Sequence, residues 1–135
     1  MVLPARYRER LLEICQSQLI VTIDTDQPCL LIYPLPEWEH IEEKIEALPS
    51  FNPTTRRIQR LLIGHATETE VDANGRMLLA NPLREYARLG KKIVLIGQGK
   101  KFELWDEAIW NERMVEWLGD EPDAEMPQAL AELTL

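Results

Sequence analysis

An internal repeat constrains this chain more than any other feature of its sequence. Tyr33 recurs as Trp105 at a spacing of 72 residues, and Pro4 recurs as Pro82 at a spacing of 78. The difference in spacing indicates a small insertion between strands. A unit with one short sheet and one or two helices cannot bury its apolar face alone. The two copies must therefore pack against each other.

Each copy predicts a β-hairpin followed by a helix. In the first copy, residues 18–24 and 29–33 form β-branched and apolar runs around a turn. Residues 37–48 then carry an apolar stripe at helical spacing, which consists of Trp38, Ile41, Ile45 and Leu48. In the second copy, strands at 92–96 and 102–105 flank residues 97–100, and Asp106 caps a helix with Ile109, Trp110, Met114 and Trp117. The four tryptophans are interpreted mainly as core residues.

Residues 53–63 predict a helix with a basic side between the two copies. Ile58, Leu61 and Leu62 face away from the side that carries Arg56, Arg57 and Arg60. We therefore expect a first unit at 1–52, a linker helix at 53–64, a second unit at 65–118 and an acidic C-terminal tail at 119–135.

The charge of the chain is distributed unevenly. The net charge is −8 over 135 residues, which at first argues against a polyanionic partner. Residues 54–101, however, hold ten Lys/Arg and four Asp/Glu, whereas both flanking segments are acidic. Because exposed charges are screened beyond about 8 Å at physiological salt, a phosphate near this basic segment would be attracted. An acidic total therefore does not exclude DNA binding.

The loop from Asp72 to Arg76 is the best candidate for a DNA contact. Asn74-Gly75 between apolar runs predicts a tight hairpin, in which Gly75 permits a positive φ. Asp72 can bond the loop amides or pair with Arg76, whose guanidinium can grip a phosphate or a guanine edge. The alternative is a turn with no further role. The helix arginines are a second candidate, and a solvated or ion-paired face is their alternative.

The sequence predicts no catalytic, metal or cofactor site. Residues 97–100 lack the Lys-Ser/Thr and following helix of a phosphate loop, so they predict a hairpin turn. His40 and His65 each have a Glu three positions on but no third ligand, and both are interpreted as structural. Cys15 and Cys29 are interpreted as small buried hydrophobes rather than a disulfide. No apolar run approaches the ~20 residues of a membrane helix, and we expect a cytoplasmic protein.

The residues resemble one family, the bacterial MraZ proteins, which consist of two tandem AbrB/SpoVT-type units. The most specific segment is residues 56–66, from Arg-Arg to His-Ala. The resemblance also extends over residues 4–8, 23–24, 28–34, 72–76 and 102–105, together with Trp38.

The resemblance implies an α+β fold of duplicated AbrB-like, swapped-hairpin-type units, with helices packed on a small barrel. It further implies a nucleoid-associated transcriptional regulator that binds double-stranded promoter DNA as a ring-shaped, octamer-like homo-oligomer. The expected target is the division and cell-wall gene cluster, with repression as the expected effect and no small-molecule substrate.

In this family each unit carries an Asp-x-x-x-Arg motif. Only the second motif maps onto this sequence, as Asp72 and Arg76. A shift of 78 places the first motif before Met1. We therefore expect the first unit to lack its opening strand and loop, through a misassigned start codon or a shortened chain, with weaker DNA binding or altered assembly as the result. The alternative function is an acidic oligomeric scaffold for protein partners, in which the arginines make subunit contacts.

Overall fold

The structure, a computed structural model, describes residues 18–72 and 76–119. Five strands in one antiparallel sheet and four helices make up this part of the chain, which confirms the predicted α+β class. The elements are β1 Gln18–Ile23, β2 Leu30–Pro34, α1 Leu35–Glu46, α2 Pro53–Leu62, β3 Thr67–Glu70, α3 Asn81–Tyr86, β4 Ile93–Gln98, β5 Lys101–Asp106 and α4 Glu107–Gly119.

The strands form one antiparallel sheet in the order β3-β1-β2-β5-β4. Both predicted hairpins are present, as β1–β2 and β4–β5. They join through β2 and β5, where Leu31 pairs with Glu103. Leu31 and Glu103 are equivalent in the 72-residue repeat. On either side of them the pairing is crossed: Leu30 pairs with Leu104, the equivalent of Ile32, and Ile32 pairs with Phe102, the equivalent of Leu30. A local two-fold axis therefore passes between Leu31 and Glu103.

The remaining strand, β3, belongs to one repeat and pairs with a strand of the other. β3 follows α2 and opens the second copy of the repeat, yet it pairs with β1 of the first copy in the register Gln18↔Glu70 to Val21↔Thr67. The two copies therefore share one sheet, as the burial argument from the repeat requires.

The core lies on both faces of this sheet. Alternation along the strands sends successive side chains to opposite faces. One face packs against α3 and the segment before it, through Leu19, Val21, Ile23, Leu30, Ile32, Met77, Leu79, Leu83, Ala87, Phe102 and Leu104. The other packs against α1, through Ile20, Leu31, Tyr33 and Trp38. The buried Thr22 hydroxyl donates to the Leu62 carbonyl at 2.7 Å, which attaches α2 to β1.

The first helix begins and ends earlier than its apolar stripe predicts. α1 spans Leu35–Glu46 rather than 37–48, and Leu48, predicted on the buried face, is 45% exposed. Pro49 explains the early end, because the residue before a proline is disfavoured in the helical conformation. The prediction for Leu48 was wrong.

The tryptophans divide between core and surface. Trp38 and Trp105 are buried, as predicted. Trp110 and Trp117 lie edge-on to Trp105 and to each other, with ring centroids 5.6–5.7 Å apart. Trp117 is nevertheless 43% exposed, so the core prediction was wrong there. It lies in the last turn of α4, where the other tryptophans cover only one side of its ring.

The β4–β5 turn gives a first testable prediction. Gln98 pairs with Lys101 across a two-residue turn, in which Gly99 has φ +70° and a methyl group on its Cα would meet no atom within 4 Å. Gly99→Ala is therefore expected to destabilise the fold by about 1–2 kcal/mol through backbone strain alone. Urea unfolding measures this, with Gly99→Asn as a control that tolerates positive φ better. An alanine variant as stable as the parent would contradict it.

Candidate nucleic-acid interface

The base of the predicted DNA-contacting loop is anchored in the core. The chain leaves β3, and Val71 then forms an antiparallel bridge with Met77, which confirms the predicted hairpin. Met77 and Leu79 are buried, and the Thr69 hydroxyl donates to the carbonyl of Leu78 at 3.0 Å. The two arms of the loop are thereby held together directly below Asp72 and Arg76.

Asp72 and Arg76 close the loop with two hydrogen bonds. The Asp72 amide donates to the Arg76 carbonyl at 3.0 Å, and the Arg76 amide donates to Asp72 Oδ1 at 2.8 Å. The aspartate therefore bonds a loop amide, which is one of the two roles predicted for it. The Arg76 backbone is fixed on both sides while its residue is exposed. Asn74 and Gly75, the other predicted loop residues, lie outside the described residues.

The basic side of α2 is present as predicted. Asn52 caps the helix by accepting from the Thr54 amide at 2.9 Å, and a proline opens the first turn, a favoured start. The exposed residues include Arg56, Arg57 and Arg60, whereas Ile58, Leu61 and Leu62 are half-buried. Among residues 18–72 and 76–119, no carboxylate lies within 4 Å of these three guanidinium groups. Within this part of the chain, the arginines therefore face solvent.

The two basic sets occupy different parts of the sheet. The last residue of α2 is bonded to Thr22, near the end of β1, whereas the Arg76 loop follows Glu70, which pairs with Gln18 at the start of β1. The two points of attachment, Thr22 and Gln18, are four residues apart on β1, or about 13 Å. The order of residues along the chain does not give this separation, because it depends on how β3 pairs.

The β4–β5 turn lies at the same end of the sheet as the Arg76 loop. β3 and β4 both finish at this end, and β1 and β5 both begin there, as the antiparallel registers require. Lys100 and Lys101 are therefore placed with Arg76 at one end, although Lys100 is 24 residues from Arg76 in sequence. No motif in the sequence indicated this.

Cys29 is buried and free, as predicted, while Cys15 lies outside the described residues. Its thiol donates to Asp24 Oδ2 at 3.4 Å. Burial raises the pKa of this thiol, and the neighbouring Asp24 and Glu103 carboxylates raise it further. The thiol is therefore held protonated, which opposes both nucleophilic and metal-binding roles.

Three side chains of the described residues have ligand atoms close enough to share a metal ion, and neither histidine is among them. In the described part of the chain they are Asp24, Cys29 and Glu103, and Glu103 Oε1 already accepts from Trp105 Nε1 at 3.0 Å. His65 is exposed and its Nδ1 lies 2.8 Å from the Leu61 carbonyl. His40 is exposed as well.

The crossed pairing of β2 with β5 and the pairing of β3 with β1 define a duplicated α+β protein. Its two units share one sheet, which presents an arginine loop at one end. The family model described as "MraZ protein" matches this chain twice, over residues 1–61 and 62–127. The chain belongs to the MraZ family.

Three relatives illustrate the similarity, and each is named "Transcriptional regulator MraZ". The relative from Halorhodospira halophila is 54% identical over 134 residues, which cover 98% of this chain and 88% of the relative. That from Alkalilimnicola ehrlichii is 50% identical and covers 100% of this chain and 90% of the relative. A relative from Coxiella burnetii is 53% identical, with 98% and 89% covered. Separately, none of the helices in the described residues is long and apolar enough to cross a membrane.

Proposed function

We propose that this chain is a DNA-binding regulator of transcription that contacts DNA through Arg76. The observation that carries the proposal is the closed loop, in which Asp72 fixes the Arg76 backbone and leaves the residue exposed. A guanidinium presented from a fixed backbone loses little conformational freedom when it binds a phosphate or a guanine edge. Membership of a family whose relatives are named transcriptional regulators supports the proposal.

The regulator acts, in this proposal, as a nucleoid-associated cytoplasmic repressor of the division and cell-wall gene cluster. It binds short promoter repeats as a ring-shaped homo-oligomer. A single loop with one arginine makes only a weak contact, whereas several copies held in one ring engage repeats at a high effective concentration. A ring of loops that each bind DNA weakly is therefore suited to a promoter that carries repeated binding sites.

We also propose the unit boundaries 1–52, 65–118 and 119–135 around the helix at 53–64, and an AbrB-like swapped-hairpin arrangement. The pairing of β3 with β1 supports the exchange, because a strand of the second unit completes the sheet of the first. Closure into a small barrel belongs to the same proposal.

The test is binding of the full chain to a promoter fragment from the cell-wall cluster, compared with a shuffled fragment at two salt concentrations. We expect tighter binding to the promoter, with an affinity that falls as salt rises because phosphate contacts release counterions. Equal binding to both fragments, or none to either, would refute sequence-specific regulation by this chain.

The α2 arginines favour a second candidate, an acidic oligomeric scaffold for protein partners. They are exposed and have no carboxylate partner among the described residues, and the chain carries many acidic groups. Ion pairs with carboxylates of a neighbouring subunit would neutralise the α2 arginines as well as contacts with DNA phosphates would.

Replacing Arg56, Arg57 and Arg60 together by glutamine separates the two candidates. If they contact DNA, the slope of log affinity against log salt falls by about 0.9 for each lost phosphate contact, while the oligomer keeps its size in gel filtration. If they join subunits, the oligomer dissociates and no promoter binding is seen in either protein. Lys91→Gln with Lys92→Gln is the control, since it removes exposed charge outside α2.

A further inference from the structure

A groove lies on the α1 side of the sheet, between that helix and the β4–β5 turn. It encloses about 560 Å³, which is within the size range of small-molecule sites. The side chains that line it include Tyr33, Glu37, His40, Lys44, Lys100 and Lys101. Three separate elements, α1, β2 and the β4–β5 hairpin, therefore bring these groups together.

The groove concentrates positive charge in an acidic protein. Lys44, Lys100 and Lys101 all line it, against one carboxylate, that of Glu37. None of the three ammonium groups has a carboxylate within 4 Å among the described residues. Three lysines against one lining carboxylate leave the groove with a net positive charge, and an anion bound between the lysines reduces their mutual repulsion.

The lysines are not a requirement of the fold. The 72-residue repeat places Glu116 at the position of Lys44, and Cys29 at the position of Lys101. At this equivalent place in the second unit, Arg113 forms an ion pair with Glu116 at 3.6 Å. The same architecture therefore tolerates opposite charge, and the lysine groove is a property of one unit only.

The lining suits a phosphate group in particular. Lys101 is half-buried and stands one residue beyond the Ile32–Phe102 pair, as Tyr33 does on the other strand. Lys44 and Lys100 reach in from the exposed rim. Tyr33 and Gln98 also line the groove, and both side chains can donate hydrogen bonds. A tetrahedral anion has several oxygens that can accept from more than one donor.

We propose that this groove binds a phosphate group, through Lys44, Lys100 and Lys101. Two sources supply that chemistry, a free phosphate ester or the DNA backbone. The groove lies at the end of the sheet that also carries the Arg76 loop, although Met77 and Leu79 after that loop pack on the opposite face. The shared end of the sheet is the reason for including the DNA backbone as a source. The proposal does not depend on the proposed regulatory function, because a free phosphate ester would satisfy it equally.

Calorimetric titration of the full chain with pyrophosphate tests the site itself. We expect Lys44→Gln with Lys100→Gln to weaken pyrophosphate binding by about tenfold or more, because charged hydrogen bonds are lost. Lys91→Gln with Lys92→Gln removes the same charge from the other end of β4 and is expected to leave binding unchanged. The proposal is overturned if pyrophosphate does not bind, or if both double variants weaken it equally.

The source of the phosphate is decided by promoter binding of the same two double variants. A salt slope that falls by about 0.9 per lost contact in the groove variant alone identifies the DNA backbone as the source. Loss of pyrophosphate binding with an unchanged slope identifies a free phosphate ester, and still supports the site. A chain that binds pyrophosphate but no DNA would refute the proposed regulation and leave the groove site intact.

Discussion

Replacing Arg76 by alanine is expected to weaken binding to the promoter fragment by about 1–3 kcal/mol, which corresponds to roughly 5- to 150-fold. The Arg76 backbone is held by Asp72 through two hydrogen bonds, and the residue itself is exposed. The alanine variant keeps both backbone bonds, so the loop stays closed and only the guanidinium is lost. Fluorescence anisotropy of a labelled fragment at two salt concentrations measures the change.

The two salt concentrations also show what Arg76 contacts. If it binds a phosphate, affinity for promoter and shuffled DNA falls alike and the salt slope decreases by about 1. If it binds a guanine edge, the promoter loses more than the shuffled fragment. Lys91→Ala, which removes an exposed charge at the opposite end of the sheet, is the matched control. An Arg76→Ala protein with unchanged affinity and slope would remove Arg76 from the interface.

Replacing Trp105 by alanine is expected to lower the free energy of unfolding by about 3–5 kcal/mol. This residue is 1% exposed on β5 and touches the rings of both Trp110 and Trp117. Its removal leaves a cavity at the contact between α4 and the sheet. It also removes the donor to Glu103 Oε1, which adds the cost of a lost hydrogen bond. Urea unfolding followed by circular dichroism measures the difference.

Trp117→Ala is the matched control for that experiment. The deleted side chain is the same, but it is 43% exposed and lies at the surface of the tryptophan cluster. We expect a loss of only about 1 kcal/mol, the range of edge-to-face aromatic pairs. Equal losses for the two variants would mean that α4 does not pack on β5 through Trp105.

Local patterns in the sequence predicted several elements. The β-branched run at 18–24 and the turn before Leu30 led to the β1–β2 hairpin, in which both faces of β1 are buried. The amphipathic pattern around Arg56 led to α2 with its basic side exposed. The Asp72–Arg76 hairpin followed from its turn residues. In each case the residues that decide the structure are close in sequence.

Predictions of burial failed at the ends of helices. Leu48 and Trp117 lie on apolar stripes, yet α1 ends ahead of Pro49 and leaves Leu48 outside the helix, and the end of α4 is only partly covered. The lysine groove was not predicted either, because Lys44 and Lys101 line one groove only once α1 packs on β2, the strand that pairs with β5. Periodicity shows which face of an element is apolar. It does not show where the covering element stops.

The sequence by itself determined the duplication, the hairpins, the basic side of α2 and the resemblance to the MraZ family. Each of these depends on the order and spacing of residues along the chain. Only the tertiary structure decided that β3 pairs with β1, that Leu31 and Glu103 lie on a local two-fold axis, and that Lys100 shares one end of the sheet with Arg76. These follow from strand pairing between distant segments, whose register is set by the packing of both faces together.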